Sequence, residues 1–209
     1  MGTFYKRAKW SMKNALAIFY RKVRIEGMDK IPRDKPLLIV SNHQNALLDP
    51  LLVGSFFPFP IHFLTRADVF NKRSRPYLKK LNMMPIYRIR DGFKSLSAND
   101  AVFEKCKEVF GKAESIMIFP EGNHGKHHYL RPLTKGAARL ALSSQLAIQK
   151  ELLILPVGVN YFDHRTPRST VFIKYGEPFA VQSFLEEYEE NNAKGLQVLR
   201  DRMSEEMKK

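Results

Sequence analysis

Six short apolar runs, each four to eight residues long, recur between residues 23 and 180 with helical patterns or turn-rich stretches between them. They are Leu37–Val40, Ile61–Leu64, Met84–Tyr87, Ile116–Phe119, Leu152–Val159 and Val171–Lys174. Runs of this length, rich in β-branched residues and closed by turn signals, read as strands rather than helices. Between them the periodicity changes. Asn99–Ala113 places Val102, Cys106, Val109 and Phe110 on one helical face with Gly111 near its end, and Thr134–Ser144 reads as a small-residue helix. Strands alternating with helices predict an α/β domain: a mixed, largely parallel sheet flanked by helices. The 209-residue chain is 44% hydrophobic, enough to bury a core, so wholesale disorder is excluded.

No repeat, low-complexity tract or Gly/Ser linker interrupts residues 23–180, which are expected to form one domain. Residues 1–22 and 181–209 flank it. In the second of these, Ser183 and Glu186 form a capping-box pattern, and Leu196, Leu199, Met203 and Met207 mark a last helix. That pattern runs to the final residues with no terminator signal, as expected of a piece of a longer protein.

The N-terminal stretch reads as an amphipathic helix. At 100° per residue Phe4, Tyr5, Ala8, Met12, Ala15, Leu16, Ile18 and Phe19 share one side. Lys6, Lys9 and Lys13 fall together beside them, with Arg7, Trp10 and Asn14 completing the polar side. Residues 1–36 hold 10 basic and three acidic side chains, and the whole chain carries a formal charge of +14 with a pI near 9.9. A basic, aromatic, amphipathic helix suits an element lying on an anionic bilayer. The same pattern also suits a helix packed on its own domain with lysines in solvent. Nucleic acid is the weaker partner class, because no helix-turn-helix, zinc-finger or RNP-type pattern accompanies the charge. There is no apolar run of the ~18 residues that a spanning helix needs, and the mean hydropathy is -0.33. No secretory h-region is visible, and Lys6 stands where a myristoylation signal needs Ser or Thr. A single cysteine, Cys106, excludes an internal disulfide and a Cys-rich zinc site.

Three stretches could carry chemistry. Ser41-Asn42-His43-Gln44-Asn45-Ala46-Leu47-Leu48-Asp49-Pro50 follows the strand Leu37–Val40 directly. A histidine at a strand end with a carboxylate a few residues on supplies a base and its orienter. The same residues also fit a turn histidine and a helix-capping aspartate. Ile118-Phe119-Pro120-Glu121-Gly122-Asn123-His124-Gly125 is a second strand-to-turn segment, with glycines that allow close backbone approach to a ligand or simply a tight turn. Met84-Pro85-Ile86-Tyr87-Arg88-Ile89-Arg90 delivers arginines on alternate positions, suited to a phosphate or to a solvated sheet edge. His124, His127 and His128 could be read as metal ligands, but no carboxylate at helical spacing supports that, and none is expected to bind metal.

Together the three stretches resemble the glycerolipid acyltransferases, which include the lysophosphatidic-acid and glycerol-3-phosphate acyltransferases. Asn42-His43 with Asp49 resembles the N-H-x-x-x-x-D motif, with five intervening residues instead of four. Ile86-Tyr87-Arg88 resembles the second motif, Phe119-Pro120-Glu121-Gly122 matches F-P-E-G, and Leu155-Pro156-Val157 resembles the fourth. Lys135-Gly136-Ala137-Ala138 and Tyr175-Gly176-Glu177-Pro178 resemble flanking sequence, so the likeness spans residues 23–180. Asn123-His124 departs from the Thr-Arg or Ser-Arg that many members carry. On a regular helix one extra residue turns a side chain by ~100°, so Asp49 can face His43 only if the intervening turn bulges.

The resemblance implies acyl transfer from a thioester, acyl-CoA or acyl carrier protein, to a hydroxyl of a glycerol-phosphate acceptor such as 1-acylglycerol-3-phosphate. It implies His43 as general base, Asp49 as its orienter, and substrate binding by Arg88, Glu121, Gly122, Asn123 and Pro156. No metal or prosthetic group is implied, and a peripheral site on the cytoplasmic face of a membrane is expected. Glycerol-3-phosphate or another lysolipid is the alternative acceptor. A non-catalytic basic module that only binds membranes is the reading of a different class, and it leaves the motifs unexplained. Nothing in the sequence indicates an oligomeric state.

Overall fold

A computed structural model describes residues 2–88, 97–125, 129–163 and 166–209. Eight strands form one sheet: β1 (Lys22–Glu26), β2 (Leu37–Ser41), β3 (Ile61–Arg66), β4 (Met83–Ile86), β5 (Ser115–Ile118), β6 (Leu153–Tyr161), β7 (Thr170–Tyr175) and β8 (Phe179–Ala180). Their order is β1-β7-β6-β2-β5-β3-β4, with β8 also pairing β6. Strands β6, β2, β5, β3 and β4 run parallel, while β7 and β8 are antiparallel to β6. The expected mixed, largely parallel sheet is therefore the one observed, and each of the six apolar runs marks a strand, with Tyr87, Phe119 and Leu152 falling one residue outside it.

The helices among the described residues are α1 (Thr3–Phe19), α2 (Leu48–Phe56), α3 (Arg75–Lys80), α4 (Ala98–Gly111), α5 (Lys135–Gln145), α6 (Leu185–Glu190) and α7 (Asn192–Glu206). Successive strand residues point to opposite faces, so β2 feeds two cores. Leu38 and Val40 pack with Ile116 and Ile154 against α4, α5 and α7. Leu37 and Ile39 pack with Met117 and Leu155 against α1 and α2. All five residues of β2 are buried, as expected of a central parallel strand covered on both sides. The α4 face predicted from the sequence is buried as a unit. Burial pushes the Cys106 thiol up to about 12, which leaves it an inert core residue.

Four local readings need correction. β1 was not expected: its pattern is charged-apolar alternation, with only Val23 and Ile25 turned inward, and it pairs with β7 as the outermost strand. Charged side chains along such an edge hide the strand from an apolar-run search and discourage edge pairing. Ser183 and Glu186 make no capping box. Ser183 lies in a 3-10 turn, Gln182–Phe184, and α6 starts after Phe184 without a side-chain cap. The cap belongs to Asn191, whose side chain accepts from the N–H groups of Ala193 and Lys194 and starts α7.

The remaining corrections concern α1. Leu16 and Tyr5 are core residues, and the Tyr5 hydroxyl accepts the Ile61 N–H at 3.0 Å. Lys9 also turns inward, donating to the carbonyls of Phe57 at 2.6 Å and Phe59 at 3.0 Å. Partial burial, with Lys13 adding to it, lowers its ammonium to about 8. On α1 the exposed large apolar residues are Phe4 and Ile18, from the expected apolar side, and Trp10, from the expected polar side. Among the described residues no helix is long and apolar enough to cross a membrane.

Helices α6 and α7 meet where Gly195 lies against Tyr188. A Cβ built on Gly195 would stand 2.4 Å from the Tyr188 Cα, a backbone atom that cannot swing aside. Gly195→Ala should therefore destabilise the protein by ~1–3 kcal/mol through overpacking. A lowered urea midpoint at unchanged slope is the expected measurement, and an unchanged midpoint would show that the helices can separate freely.

Candidate active site

The parallel strands β6, β2, β5, β3 and β4 all end at one edge of the sheet, and the loops that leave them gather there. β2 ends at Ser41, which pairs with Val157 of β6. One residue on, the Asn42 side chain takes over the pairing: its amide donates to the Val159 carbonyl at 2.8 Å and its oxygen accepts the Val159 N–H at 2.7 Å. This clamp fixes the direction in which the chain leaves the sheet, and His43 comes next.

The His43 Nδ1 lies 2.9 Å from Asp49 Oδ2. A carboxylate can only accept, so Nδ1 carries the proton, and Nε2 is the nitrogen left to act as a base. The extra residue between His43 and Asp49 is absorbed because α2 begins only at Leu48. Residues 43–47 are a loop whose helical phase does not apply. Asn45 shapes it, its side-chain oxygen accepting the N–H groups of Leu47 and Leu48 at 3.0 Å each. Asp49 then sits in the first turn of α2 with no exposure to solvent. Besides His43 it receives the Asn45 N–H at 2.8 Å and the Tyr161 hydroxyl at 2.5 Å. Three donors offset the cost of burying that charge. Burial and the neighbouring Asp49 hold the Tyr161 phenol well above its ordinary range, and the same two causes push Tyr20 up to about 12. Tyr161 is thus a fixed donor.

The loop after β5 holds His43 from the other side. The Phe119 ring stacks on the imidazole, with centroids 3.9 Å apart and planes 16° apart. Glu121 Oε1 accepts the His43 backbone N–H at 2.9 Å, and the His43 carbonyl accepts the Gly125 N–H at 3.0 Å. The Glu121 side chain is almost wholly buried, and its Oε2 pairs with the Arg131 guanidinium at 2.5 Å. Arg131 also donates to the carbonyls of Asn123 and His43. Gly122 has φ +71, a left-handed conformation that favours glycine, and a Cβ there would stand 3.2 Å from the Thr134 methyl. Thr134 closes the loop, its N–H and hydroxyl both bonding the Pro120 carbonyl.

The site residues expected from the sequence therefore divide. His43, Asp49 and Glu121 meet directly, and Gly122 and Asn123 belong to the turn that holds them. Arg88 follows β4, three strands from β2 in the sheet order, or about 14 Å at the usual strand spacing. Its guanidinium lies 3.9 Å from the Asp68 carboxylate. Arg90 lies outside the described residues. Pro156 is a buried strand residue paired with Val40, and its carbonyl accepts the Gly176 N–H at 2.9 Å. A proline is tolerated there because its nitrogen faces the notch between β7 and β8. The His124 ring stands 5.9 Å from that of His43, while His127 and His128 lie outside the described residues. No group of metal-ligating side chains occurs among the described residues.

The family model for Acyltransferase matches residues 22–160, more than half of the chain. The chain belongs to the Acyltransferase family. It is 29% identical over 149 residues to the chloroplastic 1-acyl-sn-glycerol-3-phosphate acyltransferase LPAT1 of Arabidopsis thaliana, covering 67% of this chain and 39% of that protein. It is 27% identical over 172 residues to the 1-acyl-sn-glycerol-3-phosphate acyltransferase of Helicobacter pylori, covering 75% and 67%. The fold matches the crystal structure of the 1-acyl-sn-glycerophosphate (LPA) acyltransferase PlsC from Thermotoga maritima, with a TM-score of 0.65, 24% identity, and coverage of 98% and 79%. Against the Arabidopsis protein and the putative Caenorhabditis elegans 1-acyl-sn-glycerol-3-phosphate acyltransferase acl-2, the matched region is less than half of the relative's length.

Within this Acyltransferase chain, sequence reading missed Tyr161, Arg131 and the stacking role of Phe119. Tyr161 carried a signal: it continues the period-two face of Leu155, Val157 and Val159 past the point where the apolar run stops. Arg131 carried none, being a loop arginine ten residues beyond its partner. Removing it strands a buried carboxylate, so Arg131→Ala should cost ~3 kcal/mol, the low end for a broken buried pair because the arginine is partly exposed. In a Glu121→Gln background the same change should cost at least ~1 kcal/mol less. Additive effects in urea unfolding would show that the pair does not couple.

Proposed function

We propose that this protein transfers a fatty acyl group from a thioester donor to a hydroxyl of a glycerol-phosphate acceptor, foremost 1-acylglycerol-3-phosphate. The observation that carries the reading is the 2.9 Å His43–Asp49 pair, with Nε2 directed away from the carboxylate at the strand edge. Nε2 takes the proton of the acceptor hydroxyl as its oxygen attacks the thioester carbonyl. The tetrahedral adduct collapses by breaking the carbon–sulfur bond, and the imidazolium returns the proton to the departing thiolate. An ester and a free thiol result, with no enzyme nucleophile, metal or prosthetic group in the balance. The relatives' names support the acceptor class, and a partial match to yeast glycerol-3-phosphate O-acyltransferase 2, 30% identical over 84 residues, keeps glycerol-3-phosphate as the comparison acceptor. Arg88 is the proposed phosphate ligand, at the same edge of the sheet.

Turnover of acyl-CoA and of acyl carrier protein thioesters with lysophosphatidic acid and with glycerol-3-phosphate tests the reading. His43→Ala should lose ~10²–10⁴-fold in rate while retaining its fold. Near-normal turnover in that variant sinks the mechanism.

The proposal includes a seat on the anionic cytoplasmic leaflet, peripheral rather than spanning. Trp10 and Ile18 on α1 are 70% and 75% exposed, and Lys6 and Lys13 stand beside a groove formed with Phe56 and Phe59. Each lysine near such a leaflet contributes about 1 kcal/mol. Trp10 is the chain's single tryptophan, so its emission reports the contact without labelling. A blue shift is expected with phosphatidylserine vesicles, with little shift on neutral vesicles and a weaker one after Lys6→Glu and Lys13→Glu. An unchanged spectrum on anionic vesicles overturns the docking face.

A further inference from the structure

The dyad has a third member on a different strand. Tyr161 is the last residue of β6, is 4% exposed, and donates its hydroxyl to Asp49 Oδ1, the oxygen that His43 does not use. The second oxygen of a carboxylate that orients a base is where the charge available to that base is tuned. We propose that Tyr161 is a positioning residue for the acyl-transfer base, setting the geometry and the proton affinity of the Asp49–His43 pair. This inference rests on the acyl-transfer reading for its kinetic consequences, though not for its spectroscopic one.

The direction follows from the charges. The Tyr161 hydrogen bond stabilises the carboxylate anion. Without it the pair binds a proton more tightly, whichever of its two members carries that proton. The base is active only in its neutral form, so losing the tyrosine donor moves the acidic limb of the rate profile to higher pH.

Other groups face the pair from each neighbouring element. From the end of α1 comes Tyr20, whose ring centroid is 6.3 Å from that of Tyr161 and whose buried hydroxyl has no hydrogen-bond partner among the described residues. The loop after β5 brings Glu121 onto the His43 backbone, with Arg131 behind it, and His124 beside the ring. Glu121 and Arg131 form a pair of opposite charge. His124 brings a second imidazole, so the measurements are made in a His124→Gln background.

Tyr161→Phe keeps the ring in the core and removes only the donor. We expect kcat to fall ~10-fold or more while KM for both substrates stays within about twofold, and the acidic limb of kcat/KM to move to higher pH. Tyr20→Phe is the control, since it removes a neighbouring hydroxyl that donates to none of the described residues, and it should leave the limb in place. Should Tyr161→Phe fail to fold, 3-fluorotyrosine at position 161 preserves shape with a more acidic phenol, and the limb should move to lower pH. The His43 imidazole is titrated in parallel by NMR, its signal assigned by its loss in His43→Ala. Its midpoint should rise in Tyr161→Phe or fall with fluorotyrosine even if no acyl transfer is found. An unmoved midpoint overturns the inference, as does a loss of rate with no change in pH profile. Absence of turnover in wild type with the midpoint shifted overturns the acyl-transfer reading alone.

Discussion

A carboxylate with no access to water must be met by donors from several directions, and at Asp49 those donors set much of the local architecture. One comes from the backbone of its own approach loop, one from an imidazole six residues earlier, and one from a phenol 112 residues later. Each needs a different part of the chain in place: the Asn45 turn, the exit of β2 and the far end of β6. Removing water also strengthens each contact, because the same low dielectric that penalises a bare charge rewards a solvated one.

The F-P-E-G turn contributes in a way that its letters alone do not suggest. A glutamate beside a glycine-rich turn reads as a group aimed at substrate, yet both Glu121 oxygens are engaged within the chain, on the His43 backbone and on Arg131. The turn thereby grips the peptide of the histidine while Phe119 supports the ring face. Contacts from Phe119, Glu121, Gly125 and Arg131 hold this one residue from a single loop. Pre-organisation of this kind spares the reacting groups the cost of ordering at the moment of reaction.

What was legible in the sequence follows the strength of local pattern. Parallel strands buried on both faces leave uninterrupted apolar runs, so β2, β5 and β6 could be read directly. β1 could not, because an outer strand alternates its two apolar residues with charges. His43, Asp49 and Glu121 were legible because strand-end chemistry and a family resemblance agree on them. The Asp49 geometry was not, since it depends on where α2 starts, and that is settled by the Asn45 side chain rather than by periodicity. Alternation marks Tyr161 as inward-facing but does not name Asp49, 112 residues away, as its partner, and a loop arginine such as Arg131 has no spacing rule at all. Lys9 shows the converse. Helical phase set it among the polar lysines, but two carbonyls released at the end of α2 and in the loop after it draw the ammonium inward.

The Asn42 clamp on Val159 joins residues 117 apart, and it is the step from which the histidine departs. Chain closure over such a separation is entropically costly and comes after nearer contacts. Neither the base nor its buried carboxylate is complete until β6 has docked on β2, a pairing that waits for β5 and α5 to be synthesised and placed between them in sequence. A nascent or partly folded chain therefore has His43 and Asp49 in hand and no working pair. Recovery of the site during refolding would report closure of the sheet centre, whereas helix content reports only the local segments. The geometry of the His43–Asp49 pair thus depends on the same non-local pairing that completes the core.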